Sequence, residues 1–315
     1  MKKRKKLLTF TLILLSIQLI NQLIFLTSKF KYKKIKKKYN WYPWKFGKIH
    51  YRIQGSGPPL LLIHGIGNGA SSYEWRKNIP YLSKNFTVYA IDLIGYGLSA
   101  KPKFTYTAFL YVQLINDFIK DVIKKPTYVI ANSQSASFAV MASSYYPSLI
   151  KKMVLISPTG IKKQASYPTL KSKFIKLLIE LPLVGTTFYQ IISSKLYTFY
   201  FFKKYLYKSI KSISKNLIDT YHGVTHESGS SSRYALASFI GGYMNINVKN
   251  AFSKIKSDVL IVWGKDNILV SLSLLDEWVK TKESVSTFIF KNSKAMPHEE
   301  EAITFNKICE DFLIN

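Results

Sequence analysis

Residues 127–144, TYVIANSQSASFAVMASS, constrain the fold more than any other stretch. An apolar, β-branched run (Tyr128, Val129, Ile130) ends in small residues and passes directly into a helix-like segment. Ser133 stands at the junction. A strand that turns this sharply into a helix strains its backbone, so the residues two before and two after the turn must carry little side chain. Here they are Ala131 and Ser135. Both are small, although neither relieves strain as glycine does. The pattern is that of a nucleophile elbow; the same serine would also serve as an ordinary helix N-cap.

The chain has 315 residues, enough for one large α/β domain with additions. Its net charge of +29 admits three readings: nucleic acid, an anionic membrane surface, or a lysine-biased composition. No nucleic-acid-binding motif accompanies the charge, so no nucleic-acid partner is expected. The single cysteine, Cys309, has no intrachain partner and reads as a core thiol.

Residues 7–28 hold no charged side chain. As a helix they rise about 33 Å, enough to cross a bilayer. Lys2 to Lys6 precede the run and seven lysines between Lys29 and Lys38 follow it. No small-x-small cleavage site comes after it, which favours an uncleaved single-pass membrane anchor over a signal peptide. The basic flanks nearly balance, so the positive-inside rule does not choose an orientation. Gln18, Asn21 and Gln22 make this span more polar than most.

Beyond residue 40 the chain alternates strands with helices. Residues 48–53 read as a strand, and Leu60 to Ile63 as one buried on both faces. The latter ends in His64-Gly65-Ile66-Gly67, where backbone donors can face a developing oxyanion. Residues 71–82 read as a helix, 87–92 as a strand, 106–124 as a helix, and 152–157, 258–262 and 286–290 as further strands. This order implies a mostly parallel sheet flanked by helices. Residues 161–250 interrupt the alternation with helix-like sequence carrying thirteen basic and three acidic side chains. Within it His222 and His226 stand four apart; no further ligands accompany them, so no metal is expected.

The motifs HGIG, DLIGYGLSAKP, IANSQSA and VLIVWGKDN, in this order, resemble the α/β-hydrolase superfamily, in particular its capped, serine-nucleophile members. The resemblance covers residues 44–313. Beyond the membrane anchor and basic linker read over 1–40, it implies a hydrolase core over 41–160 and 251–315, and a helical cap over 161–250. The fold runs its catalytic residues in the order serine, acid, histidine. Ser133 takes the nucleophile position and Asp266 the acid position. Of the five histidines only His298 follows both Asp266 and the last strand. Aligned on Pro-His-x-Glu, however, the usual catalytic histidine falls on Ala295, and His298 falls three residues beyond it.

Two functions follow. In the first, a membrane-anchored serine hydrolase acts on ester-type substrates, lipid esters among them. Ser133 attacks, His298 moves the proton, Asp266 orients the imidazole, and the backbone N–H groups of Ile66 and Gln134 hold the oxyanion, giving an acyl-enzyme. No cofactor is needed. Acyl transfer would use the same residues. In the second, Ala295 marks a lost base, and the fold binds a ligand or partner without turning it over.

Overall fold

Why the apolar runs form a doubly covered sheet is plain from where their alternate residues go. The protein is described here as a computed structural model, covering residues 2–32 and 40–314, with side chains from 2–28 and 40–314. Eight strands form one sheet: β1 (Asn40–Trp44), β2 (Gly47–Gln54), β3 (Pro59–Ile63), β4 (Thr87–Ile91), β5 (Thr127–Asn132), β6 (Ile150–Ile156), β7 (Asp258–Gly264) and β8 (Val285–Phe290). Their spatial order is β1-β2-β4-β3-β5-β6-β7-β8. β2 runs antiparallel to both neighbours and the rest are parallel.

In β3, Leu61 and Ile63 join the core on one face while Leu60 and Leu62 join the core on the other. β5, β6 and β7 divide in the same way. Strand side chains alternate faces, so a strand covered on both sides must be apolar throughout. The helices Ala108–Phe118, Gln134–Tyr145 and Leu275–Thr281 cover the first face, and Ala302–Ile314, with Phe305, Cys309 and Leu313, covers the second.

Two local readings need correction. β1 escaped notice because Pro43 lies in it; proline is tolerated there because β1 is an edge strand. Residues 71–82 form a short 3₁₀ turn, Ser72–Trp75, and one helical turn, Ile79–Leu82, rather than one helix. The Asp92 carboxylate takes the Ser72 N–H at 2.6 Å, and Ser71 Oγ accepts from Tyr73 N, which holds the chain away from a continuous helix.

Between β6 and β7 the chain makes an inserted set of helices: Leu170–Glu180, Val184–Ile192, Lys195–Phe201, Lys215–His226 and Arg233–Ile240. One N-terminal helix, Lys2–Tyr32, is long and apolar enough to cross a membrane. Its second half lies against the insertion. Asn21 donates to Thr187 Oγ1 at 3.1 Å, and the Phe25 ring meets His226 with centroids 5.6 Å apart. The polar residue that weakened the span as a sequence is therefore a docking contact. The basic linker expected up to residue 40 falls largely outside the described residues.

Candidate active site

In a parallel sheet the strands' carboxyl ends gather at one edge, so the segments after β3, β5, β7 and β8 meet there. Ser133 follows β5 directly, with φ 54° and ψ −121°. It occupies the N-cap position of Gln134–Tyr145, yet its side chain makes no capping bond. Backbone of this kind in a non-glycine residue costs about 1–3 kcal/mol and persists only where the surroundings impose it. Its N–H donates to Ile156 O at 2.8 Å, which ties the elbow to β6. Ser135, in place of the usual glycine, donates its hydroxyl to His64 O at 2.6 Å. The substitution thus adds a bond between the elbow helix and the loop after β3. Gln134 is buried, and its side chain bridges Met244 O and Thr159 Oγ1 at 2.7 and 2.8 Å. Ile66 lies in the loop after β3, half-buried.

Ser133 is half-buried, and its hydroxyl makes no hydrogen bond among the described residues. No imidazole hydrogen-bonds it among the described residues. His50 Nδ1 lies 2.7 Å from the buried Asp92 carboxylate. His64 accepts from Leu93 N at Nε2, so its proton sits on Nδ1, 2.7 Å from Gly65 O. His226 reaches His222 O and Gln190 Oε1, and the His222 ring lies 4.3 Å from it by centroids. His298 is completely buried, 3.2 Å from Glu74 Oε1 without the alignment of a hydrogen bond. Its ring packs on Trp75 and Phe305.

The structure therefore does not bring His298 to Asp266. Asp266 lies at the surface and pairs at 2.7 Å with Lys208 of the insertion. The Lys208 hydrogen bond, against a smaller effect of partial desolvation, holds its carboxyl below the usual range. Position 295, not 298, lies in the segment beside the acid. Asp266 N donates to Ser293 O at 3.2 Å, and Ala295 N donates to Leu206 O at 3.1 Å. Gly264 at the end of β7 lets this segment in: a Cβ there would stand 1.8 Å from Lys294 O. Ala295 and Met296 pack into an apolar cluster with Phe202, Tyr207 and Tyr221 of the insertion.

Glu74 is the residue that sequence reasoning missed. Its buried carboxylate accepts from Gly65 N at 3.1 Å and from Asn132 Nδ2 at 2.8 Å, and it faces His298. Burial alone would raise its pKa. The neighbouring His298 imidazole, helped by His64 and the Asn132 amide, outweighs that and lowers it. Nothing in its spacing singled it out. The acidic run after His298 is also fully engaged. Arg76 makes a bidentate pair with Glu299 at 2.7 and 2.5 Å. Glu300 accepts from the backbone N–H groups of Lys208, Ser209 and Lys294. Glu301 accepts from Asn292 N at 3.1 Å. Three carboxylates thereby fasten the segment after β8, and Glu299 and Glu300 fasten it to its surroundings on other elements.

The family profile described as alpha/beta hydrolase fold matches residues 58–190, which contain the β3 loop and the elbow. The chain belongs to the α/β-hydrolase superfamily. Among its relatives, a 2-hydroxy-6-oxo-6-(2'-aminophenyl)hexa-2,4-dienoic acid hydrolase of Metapseudomonas resinovorans is 34% identical over 116 residues, 36% of this chain and 40% of that protein. The chain matches 33% to 40% of the length of this relative and of an uncharacterized protein of Mycobacterium tuberculosis. Similar folds include a serine hydrolase involved in carbazole degradation, with a TM-score of 0.74 at 20% identity over 88% of this chain and 98% of that one. A membrane phospholipase A superposes over 99% of this chain and 98% of its own, with a TM-score of 0.71 at 19% identity. The superfamily assignment accounts for the strained elbow and the helical insertion between β6 and β7. It does not account for the lack of a hydrogen bond between the Ser133 hydroxyl and an imidazole among the described residues.

Proposed function

We propose that this protein is a membrane-anchored α/β-hydrolase-fold protein that holds an ester-like ligand at the Ser133 elbow and lacks the proton relay of a fast serine hydrolase. One observation carries the reading: no imidazole hydrogen-bonds the Ser133 hydroxyl among the described residues, His298 lies buried beside Glu74, and the Asp266 carboxylate is paired with Lys208. A serine hydroxyl is a weak nucleophile until a base takes its proton, and the base needs an orienting acid. What remains is the elbow with the backbone N–H groups of Gln134 and Ile66. These bind a carbonyl oxygen without activating the attacking hydroxyl. The apolar N-terminal helix supports the anchor.

The strained backbone at Ser133 favours a second reading, hydrolysis through an acyl-enzyme. It requires the segment 295–299 to leave Leu206 and Glu74, so that His298 reaches Ser133 and Asp266. Relatives named as hydrolases agree with that chemistry.

Labelling with a fluorophosphonate, which needs an activated serine, separates the two. The binding reading expects the wild type to label no faster than Ser133→Ala, while a non-hydrolysable ester analogue still raises its melting temperature. Rapid labelling lost in both Ser133→Ala and His298→Ala, with both variants folded, would overturn it in favour of hydrolysis.

A further inference from the structure

Helices that pack on a core turn their apolar stripe inward. Two helices of the insertion do the opposite. In Leu170–Glu180 the stripe Leu170, Phe174, Leu177 and Leu178 is exposed, while the buried positions are Lys176 and Ile179. In Val184–Ile192 the exposed stripe is Val184, Phe188 and Ile191. The two helices together are apolar enough to cross a membrane, but a 95° bend separates them. They cannot cross as one straight span. An amphipathic helix whose apolar face has no protein against it is suited to lie in a bilayer interface. The exposed Lys171 and Lys173 supply the cationic flank that such helices present to anionic headgroups.

The N-terminal helix indicates the occupant of this face. Along it Leu14, Ile17, Asn21, Phe25 and Ser28 recur every three or four residues and are shielded. The shielded stripe lies against the insertion, where Asn21 and Phe25 meet Thr187, Gln190 and His226. The other side of the same stretch, with Leu15, Leu19, Leu23 and Leu26, is exposed. Only residues 7–13 of the apolar run precede this docked stripe, and they rise about 10 Å. The hydrocarbon layer is about 30 Å thick. A helix that crosses it must therefore carry part of its docked stretch, and with it Val184–Ile192, into the apolar layer.

We infer that the bent helix pair 170–192 is seated in an anionic lipid bilayer, forming one membrane-facing surface with the N-terminal helix. The inference rests on the membrane-anchor reading, and the experiment keeps the two apart. The full-length chain, with Cys309→Ala, carries one new cysteine at a time: Leu12→Cys in the N-terminal helix, Leu177→Cys and Ile191→Cys in the bent pair, or Lys84→Cys in an exposed loop at the opposite sheet edge. Each is labelled with an environment-sensitive fluorophore and reconstituted into phosphatidylcholine–phosphatidylglycerol vesicles containing a lipid-borne quencher. The expected result is a blue shift and loss of fluorescence at positions 12, 177 and 191 and none at 84. Quenching at 12 with positions 177 and 191 as aqueous as 84 would overturn the inference and leave the anchor standing. An aqueous position 12 would overturn both. Disulfide-linked dimers through position 177, without quenching, would assign the face to a second copy of the chain and also overturn it. Phe174→Cys and Phe188→Cys repeat the measurement if either first variant misfolds.

Discussion

The burial of His298 beside Glu74 predicts a structural role, and a double-mutant cycle with Glu74 tests it directly. Both side chains are buried, with Glu74 Oε1 3.2 Å from His298 Nε2 and the His298 ring stacked near Trp75. Glu74→Ala leaves the Gly65 N–H and the Asn132 amide without their acceptor and leaves His298 without its polar neighbour. Removing one partner of a buried pair costs about 3–5 kcal/mol. His298→Ala removes the imidazole beside the Glu74 carboxylate and opens a cavity beside Trp75 and Phe305, for a similar cost. Either single change should lower the melting temperature in detergent by roughly 6–20 °C, at about 2–4 °C per kcal/mol for a domain of this size. The double variant should cost less than the sum by about 2–3 kcal/mol, because the second deletion removes a group already orphaned. Thermal denaturation of the wild type, both single variants and the double variant gives the coupling. Additivity within about 0.5 kcal/mol, or an unshifted melting temperature for His298→Ala, would refute the structural role.

Ala295→His should place an imidazole in the segment beside Asp266 and raise nitrophenyl-ester hydrolysis at least tenfold, with Ser133→Ala abolishing the gain; no change in rate would show that position 295 does not face the nucleophile. Stability should fall in acid. Asp92 and Glu74 both have carboxyls held below their ordinary values, because pairing and hydrogen bonds outweigh burial. Such groups stabilise the fold above the unfolded-state pKa, near about 4, and that contribution is lost as pH falls through the lowered folded values; a urea midpoint that stays constant from pH 6 down to pH 3 would contradict this. Gly264→Ala should destabilise by more than about 3 kcal/mol, since its new Cβ meets the Lys294 backbone rather than a movable side chain; denaturant unfolding measures it. Carbonate should fail to extract the full-length chain from membranes; release without detergent would count against the anchor.

Most of the sheet was legible in the sequence because its signals are local. β3, β5 and β7 are buried on both faces, so they appear as unbroken apolar runs. The elbow was legible for the same reason: a strand, a serine and a helix are adjacent in the chain, and Ser133 has the strained backbone that such a turn demands. Ser135 in place of glycine suggested a weakened elbow, whereas its hydroxyl in fact bonds His64 O. That partner is 71 residues away, beyond the reach of any pattern around the motif.

The long apolar N-terminal helix was equally readable by length and hydropathy, but its polar residues gained meaning only from the fold. Asn21 lies where the helix meets Thr187, 166 residues further along. The outward apolar stripe of residues 170–192 has the spacing of a core-facing helix. Periodicity places side chains on one face of a helix without saying whether that face meets protein or the outside.

The sequence by itself determined the alternation of strands and helices from β3 onward and the elbow, and it pointed to Ala295 as the position where the resemblance expects an imidazole. Tertiary structure alone decided what the remaining ionisable groups do. Asp266 and His298 are 32 positions apart and look like partners in chain order. The fold instead gives Asp266 to Lys208 at the surface and His298 to Glu74 in the interior. A charged side chain is held by whichever opposite charge packing brings within about 4 Å, and by how much water that packing removes. Neither quantity exists before the chain has closed on itself.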